Sequence, residues 1–259
     1  MINIQVVDQY SVIAFWLCFT RFVAVSFQLP IFDNGAVPNL VKILATLVMT
    51  YAFFPMLEGE ILKDVVHYGV DGFWYLTIFN TVVGLLVGFF VKIIMSIYTA
   101  AGALITQQVG FGAVSYFDPS SSQQVGPFEQ LIKWTVLIII LSSGALLPMF
   151  KGLYSSFFSI SALEMGKFAA SPEFYLRLFK NMFLSALMLS SPMIFTNMLI
   201  MTILGIIART VPQMNVIMVS FAVNIGLGLL VFVATSQEFF RVAIKMYTDN
   251  LGEWFQFII

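Results

Sequence analysis

In 259 residues the chain holds only 12 Lys plus Arg and 13 Asp plus Glu, for a net charge of -1, against 60% apolar residues and a mean hydropathy of +0.96. That balance excludes a water-soluble globular domain and makes the bilayer the expected solvent. With no basic block anywhere, there is no electrostatic footprint for nucleic acid.

Six apolar segments follow one another: residues 11–29, 40–57, 73–106, 131–150, 181–208 and 214–233. They read as helices, because hydrocarbon leaves backbone polar groups unsatisfied in anything but a helix or a closed barrel, and the runs lack strand-like alternation. The predicted fold class is therefore an all-α membrane protein, one integral membrane domain over residues 1–259 with about six long apolar helices. Met1 to Tyr10 carries no Lys or Arg and contains Asp8, so no removable signal peptide is expected. Cys18 is the one cysteine, without a partner for a disulfide or a cysteine metal cluster, and reads as packing. Arg21 falls at the middle of the first segment and Lys92 inside the third, where a central cation costs about 2.5–3.5 kcal/mol on insertion scales. Such residues either snorkel or pair locally, with Asp33 a candidate partner, or serve a pore or subunit contact.

Pro38 suits the first turn of the second helix. An acidic connection, residues 58–71, follows that helix and contains the one histidine, His67, expected as a solvated loop residue. Residues 72–117 carry a single charge, Lys92, and a helix over 73–107 would be about 52 Å long, more than a bilayer needs. Either it breaks near Gly102 or protein clothes part of it. Gly84 and Gly88 form a small-xxx-small pair that admits a close helix, although such spacing also arises by chance in so Gly-rich a chain; Gly226 and Gly228 allow the same reading.

The connection over residues 107–130, QQVGFGAVSYFDPSSSQQVGPFEQ, is long and rich in Gly, Ser and Gln. Connections beyond about 12–15 residues are usually functional or disordered. It reads either as a flexible surface loop or as a segment folded into an aqueous path, which Phe111, Tyr116 and Phe117 would then obstruct. Pro127 opens the next helix, and Ser171-Pro172-Glu173 supplies a cap, a first-turn proline and an acid at the positive end of a later one. Arg209-Thr-Val-Pro212-Gln213-Met-Asn215 joins two uncharged 28-residue runs by a short polar link, forcing a tight hairpin in which Arg209 closes the first arm and Pro212 opens the second. Six crossings would leave both termini on the side with more Lys and Arg, the cytoplasm.

No nucleophile elbow, zinc-protease, Walker A or dinucleotide motif is present, and the spans hold no paired acids. Neither an enzyme nor a cofactor or metal site is expected.

Gln108-Val-Gly-Phe-Gly-Ala through Asp118-Pro119, then Ala208-Arg-Thr-Val-Pro-Gln-Met-Asn215 and the stretch from Phe221 to Leu229, resemble the FliR family of flagellar biosynthetic proteins, whose injectisome relatives are SctT. Arg21, Pro30, Pro38 and Lys42 fit the family's N-terminal pattern, so the resemblance covers nearly the whole chain. Ser143-Gly144-Ala145 stands where relatives often carry a Gly-His pair, and Asp33 stands where small or apolar residues are usual.

The resemblance implies helical hairpins within a hetero-oligomeric export gate, built with FliP-like and FliQ-like subunits and touching an FlhB-like switch protein. Unfolded export substrates would pass through it, and membrane lipid would surround it. It implies a gating subunit of the flagellar type III apparatus in the bacterial inner membrane, at the basal body. It also implies a plug of the closed pore formed by Gln107, Gln108, Gly110, Phe111, Gly112, Tyr116, Phe117, Asp118 and Pro119. Partner subunits would then cover the over-long helix and the buried or contact residues Arg21, Lys92, Arg209, Pro212, Gln213 and Asn215. The alternatives are an injectisome gate subunit, or a small-solute transporter or channel acting alone.

Overall fold

The computed structural model describes residues 8–29, 32, 37–111, 126–144, 146–163, 172–211, 213 and 215–258. Among these the protein is all helix and turn, with no strand. The elements are α1 (Gln9–Ser26), α2 (Asn39–Tyr68), a 3-10 turn (Val70–Gly72), α3 (Phe73–Gln108), α4 (Pro127–Ser142), α5 (Leu147–Ser159), α6 (Pro172–Thr210) and α7 (Val216–Ile258). Among the described residues five helices are long and apolar enough to cross a membrane, and α4 with α5 supplies a sixth if the two count as one broken span. The chain is an all-α membrane protein.

It forms two compact units. The first is Met1–Ile93, Ala145–Phe174 and Asn250–Ile259; the second is Ile94–Gly144 and Tyr175–Asp249, so α3 contributes to both.

In the first unit, Asp8 caps α1 through the Tyr10 amide at 3.5 Å. One face of α1 is buried through Ala14, Leu17, Cys18, Arg21, Phe22 and Val25, an i, i+3, i+4 series. Helix α2 runs on through residues 58–68, which the sequence assigned to a connection. Leu57, Ile61, Asp64 and Val65 keep the helical period and are buried, while Lys63 pairs outward with Glu60 at 2.6 Å. Gly69, at φ +65, stops it. His67 is exposed, as a solvated residue should be, but it is helical, with its ring edge-on to Tyr68 at 5.0 Å.

The segment read as one helix over 131–150 is two. Ser143 donates to the Ile139 carbonyl at 2.9 Å, Gly144 takes φ +71, and Pro148 sits in the first turn of α5. A left-handed glycine followed by a proline ends one helix and starts another.

In the second unit α3 is continuous through Gly102. A Cβ there would stand 2.5 Å from the Glu129 Cα, so the glycine admits the first turn of α4 rather than a break. Over half of the apolar window of α3, 61%, is buried within the protein, so the chain itself clothes much of it. Helix α7 extends far past residue 233. Phe239, Ala243 and Tyr247 recur every fourth position on the buried side, and Glu238 pairs with Arg241 at 3.0 Å on the exposed one.

Candidate functional site

The end of α3 is pinned on three sides. The amides of Val109 and Gly110 close the helix on the carbonyls of Ile105 (2.9 Å) and Gln107 (3.1 Å), with Gly110 at φ +92. Val109 is fully buried against Gly228 of α7; a Cβ at Gly228 would stand 3.0 Å from a Val109 methyl. Beside Gly110 lies Asn224, whose Cβ is 3.7 Å from where a Gly110 Cβ would point. Gln108 accepts a hydrogen bond at Oε1 from Nδ2 of Asn197 on α6. The Phe111 ring stands 5.8 Å from that of Phe128 on α4, itself 4.9 Å from Phe232 on α7. The chain returns close by, since a Cβ on Gly126 would lie 2.5 Å from the Thr106 methyl. Gly126 therefore stands one to two turns back along α3 from Phe111.

Of the nine residues implied as a plug, Gln107 is exposed, and Gln108, Gly110 and Phe111 are half-buried in this anchor. Gly112, Tyr116, Phe117, Asp118 and Pro119 lie outside the described residues, as do Asp33 and Pro212.

Arg21, only 2% exposed, is held within the first unit. Its Nε donates to Asn80 Oδ1 (3.0 Å) on α3, and Nη1 and Nη2 donate to the carbonyls of Ser156 (2.8 Å) and Ile160 (3.2 Å) at the end of α5. The guanidinium lies 4.3 Å over the Phe157 ring. A positive fork on the negative end of a helix is favourable, and planarity lets one side chain serve two carbonyls and a ring. The chain leaving α5 is then taken by α2. Asp64 accepts from the Ser161 hydroxyl (2.6 Å) and the Ala162 amide (3.2 Å), and the Tyr68 hydroxyl donates to the Ala162 carbonyl at 3.3 Å.

Gly84 receives α1 one turn along from Asn80: a Cβ there would stand 2.6 Å from the Arg21 carbonyl oxygen and 2.8 Å from the Ala24 Cβ. Gly88 faces only the Gln28 side chain, at 2.7 Å. Lys92 is exposed on α3, and Lys42 is buried with Nζ 5.7 Å from the Phe27 ring. At the hairpin, Arg209 is in the last turn of α6, while Gln213 and Asn215 are exposed. The second arm opens at Val216, with the Asn215 Oδ1 accepting from the Met218 amide at 3.3 Å.

The sequence reading missed Asn80, Asn197, Asn224 and Asp64. Each of the three asparagines is a solitary amide inside an apolar run, where an unpaired amide costs several kcal/mol in hydrocarbon, roughly 4–8 on an alkane scale. That rarity was the available signal; attention to formal charge alone passed over it. Among the described residues no group of three His, Cys, Asp or Glu side chains gathers as metal ligands.

Helices long and apolar enough to cross a membrane, with buried polar side chains holding helix ends, define an all-α membrane protein. The chain belongs to the family of bacterial export proteins, family 1, which it matches over residues 12–249. It is similar to the flagellar biosynthetic protein FliR of Bacillus subtilis (strain 168), 28% identical over 242 residues that cover 91% of this chain and 90% of that protein. The FliR of Aquifex aeolicus (strain VF5) is 23% identical over 255 residues, covering 98% and 97%. The surface presentation of antigens protein SpaR of Shigella sonnei is 24% identical over 227 residues, covering 86% and 85%. None of these names specifies a reaction.

Proposed function

We propose that the protein is a structural and gating subunit of the flagellar type III export apparatus. It helps to build a closed conduit for unfolded flagellar proteins across the bacterial inner membrane, at the flagellar basal body, and catalyses no reaction. The observation that carries this reading is end-to-end similarity to FliR proteins, supported by the amount of apolar surface the folded chain leaves uncovered. Only 17% of the apolar window of α6 and 22% of that of α7 are buried within the protein. Lipid satisfies such faces in part. Hairpins this long, about 59 Å for the 39 residues of α6, exceed a bilayer and call for protein neighbours. FliP-like and FliQ-like subunits and an FlhB-like switch protein are the proposed neighbours.

Within that assembly the connection over 112–125 obstructs the path until a substrate is threaded, and its root is the anchor formed by residues 105–111. Deleting residues 112–119 in the assembled complex is expected to raise ion leakage across the membrane, with the complex still purifying intact. An unchanged leak removes the gating role. Co-purification of heterologous membrane subunits, and loss of motility in the deletion strain, test the assembly. A lone chain that is homogeneous and transports a solute by itself would favour a stand-alone channel.

The similarity to SpaR favours one second reading, an injectisome gate subunit. Loss of motility without any effect on the secretion of host-directed proteins separates the flagellar reading from it.

A further inference from the structure

The anchor at the end of α3 carries more polar capacity than it uses. Asn197 of α6 reaches Gln108 of α3, and Asn224 of α7 lies two residues along from Gln108, beside Gly110, where Ile225 and Phe221 are the other near side chains. One bond joins them, from Asn197 to Gln108. The Oδ1 atoms of Asn197 and Asn224 are buried, and neither has a hydrogen-bond donor among the described residues. Asn224 is only 4% exposed, so water does not reach it freely. Native proteins rarely leave such acceptors idle, and where they do the site is commonly a reservoir of strain or a moving part.

We infer that these three amides form a polar catch that holds the last turn of α3 in its docked state, poised against a second arrangement in which that turn opens. In the docked state the Gln108–Asn197 bond opposes opening. The idle oxygen of Asn224 favours opening, because the Asn224 side chain starts beside Gly110, with its Cβ 3.7 Å from where a Gly110 Cβ would point, and can offer an acceptor to the N–H groups of Val109 and Gly110 once they leave the carbonyls of Ile105 and Gln107. Gly110, already at φ +92, can change its dihedrals without a Cβ to obstruct the change. The catch rests on the gating role proposed above: it is the element that sets how readily the connection beginning at residue 112 is released.

The two asparagines therefore have opposite effects. Asn197→Leu removes an idle oxygen too, but it also removes the bond that closes the catch and leaves Gln108 Oε1 without its donor, and that double loss dominates. Asn224→Leu removes the acceptor that favours opening and leaves an apolar group in apolar surroundings. The test is hydrogen exchange at the amides of Val109 and Gly110 in the intact heteromeric complex, together with ion leakage through it.

Asn197→Leu is expected to speed exchange and raise leakage by roughly two- to tenfold, the factor that one net hydrogen bond places on a two-state equilibrium. Asn224→Leu is expected to slow exchange by a similar factor. Combining Gln108→Leu with Asn197→Leu removes both partners, and should return exchange toward the unmutated rate, which general loss of folding would not do. Exchange unchanged in both single variants, or shifted in the same direction by both, overturns the catch. If exchange responds as expected while leakage is unaffected by Asn197→Leu and by deletion of 112–119 alike, the gating role fails and the claim that the catch controls release fails with it. If the deletion leaks and exchange is indifferent to all three variants, gating stands and the catch does not.

Discussion

Replacing Arg21 is the most demanding test of the first unit, because the cost follows from which atoms are left unpaired. The guanidinium makes three hydrogen bonds, to Asn80 Oδ1 and to the Ser156 and Ile160 carbonyls. After Arg21→Met, the Ser156 carbonyl still accepts from the Ile160 amide at 3.1 Å, whereas Asn80 Oδ1 and the Ile160 carbonyl lose their described donor. Two orphaned buried acceptors at about 1–3 kcal/mol each give a loss of about 2–6 kcal/mol. For a chain of this size that lowers a thermal midpoint by roughly 10 °C.

Arg21→Lys keeps the charge but not the fork, so it should recover less than half of the loss. Adding Asn80→Leu to Arg21→Met removes one orphan and should restore about 1–3 kcal/mol. The assay is the thermal midpoint of the purified complex, followed by loss of its assembled band. An Arg21→Met midpoint equal to that of the unmutated protein would refute the reasoning, and so would a double variant no more stable than the single one.

Gly84→Ala should destabilise by about 1–3 kcal/mol, because its Cβ would overlap the backbone of α1, while Gly88→Ala should cost less, since the obstacle is the flexible Gln28 side chain; paired thermal melts decide. Gly59→Ala, in the exposed part of α2 with nothing within 4 Å of the new methyl, should stabilise by about 0.5–1 kcal/mol in the same melts. Asp64→Ala should cost about 1–3 kcal/mol by leaving the Ala162 amide without its acceptor, and Asp64→Asn should keep part of that contact, with proteolysis near residue 163 as a local readout. Asn215→Ala should cost about 1 kcal/mol through the lost cap of α7, measurable as faster hydrogen exchange at Met218.

The helical class was legible because apolar run length depends on composition alone, and the break between α6 and α7 because a short polar link around Pro212 interrupts two apolar runs. Residues 58–68 were not, since Glu58, Glu60 and Lys63 interrupt the apolar run although Leu57, Ile61, Asp64 and Val65 keep a buried helical face, and one of those four, Asp64, is itself charged. The extension of α7 past Val233 was hidden in the same way, behind Glu238, Arg241 and Lys245. Near Gly102 the sequence left open a break in α3 or a helix clothed by protein, and only the arrival of Glu129 shows that the glycine relieves crowding between helices rather than ending one. At the candidate site the motif residues Gln108, Gly110 and Arg209 were visible in one dimension. The Asn197 partner of Gln108 was not, nor was the Asn224 neighbour of Gly110, because 89 residues separate Asn197 from Gln108 and no local pattern reports so distant a pairing.

The bare flanks of α6 and α7 carry a consequence for the cell that makes this protein. Side chains such as Met188, Phe195, Leu230 and Val233 stand at least 64% uncovered on the isolated chain. A copy produced in surplus has no companion to shield them, is prone to self-association, and offers membrane proteases an easy target. On the proposed assembly, supply of this polypeptide has to be matched to that of the subunits that cover it, and raising its dosage alone should yield degraded or clumped material rather than additional assemblies.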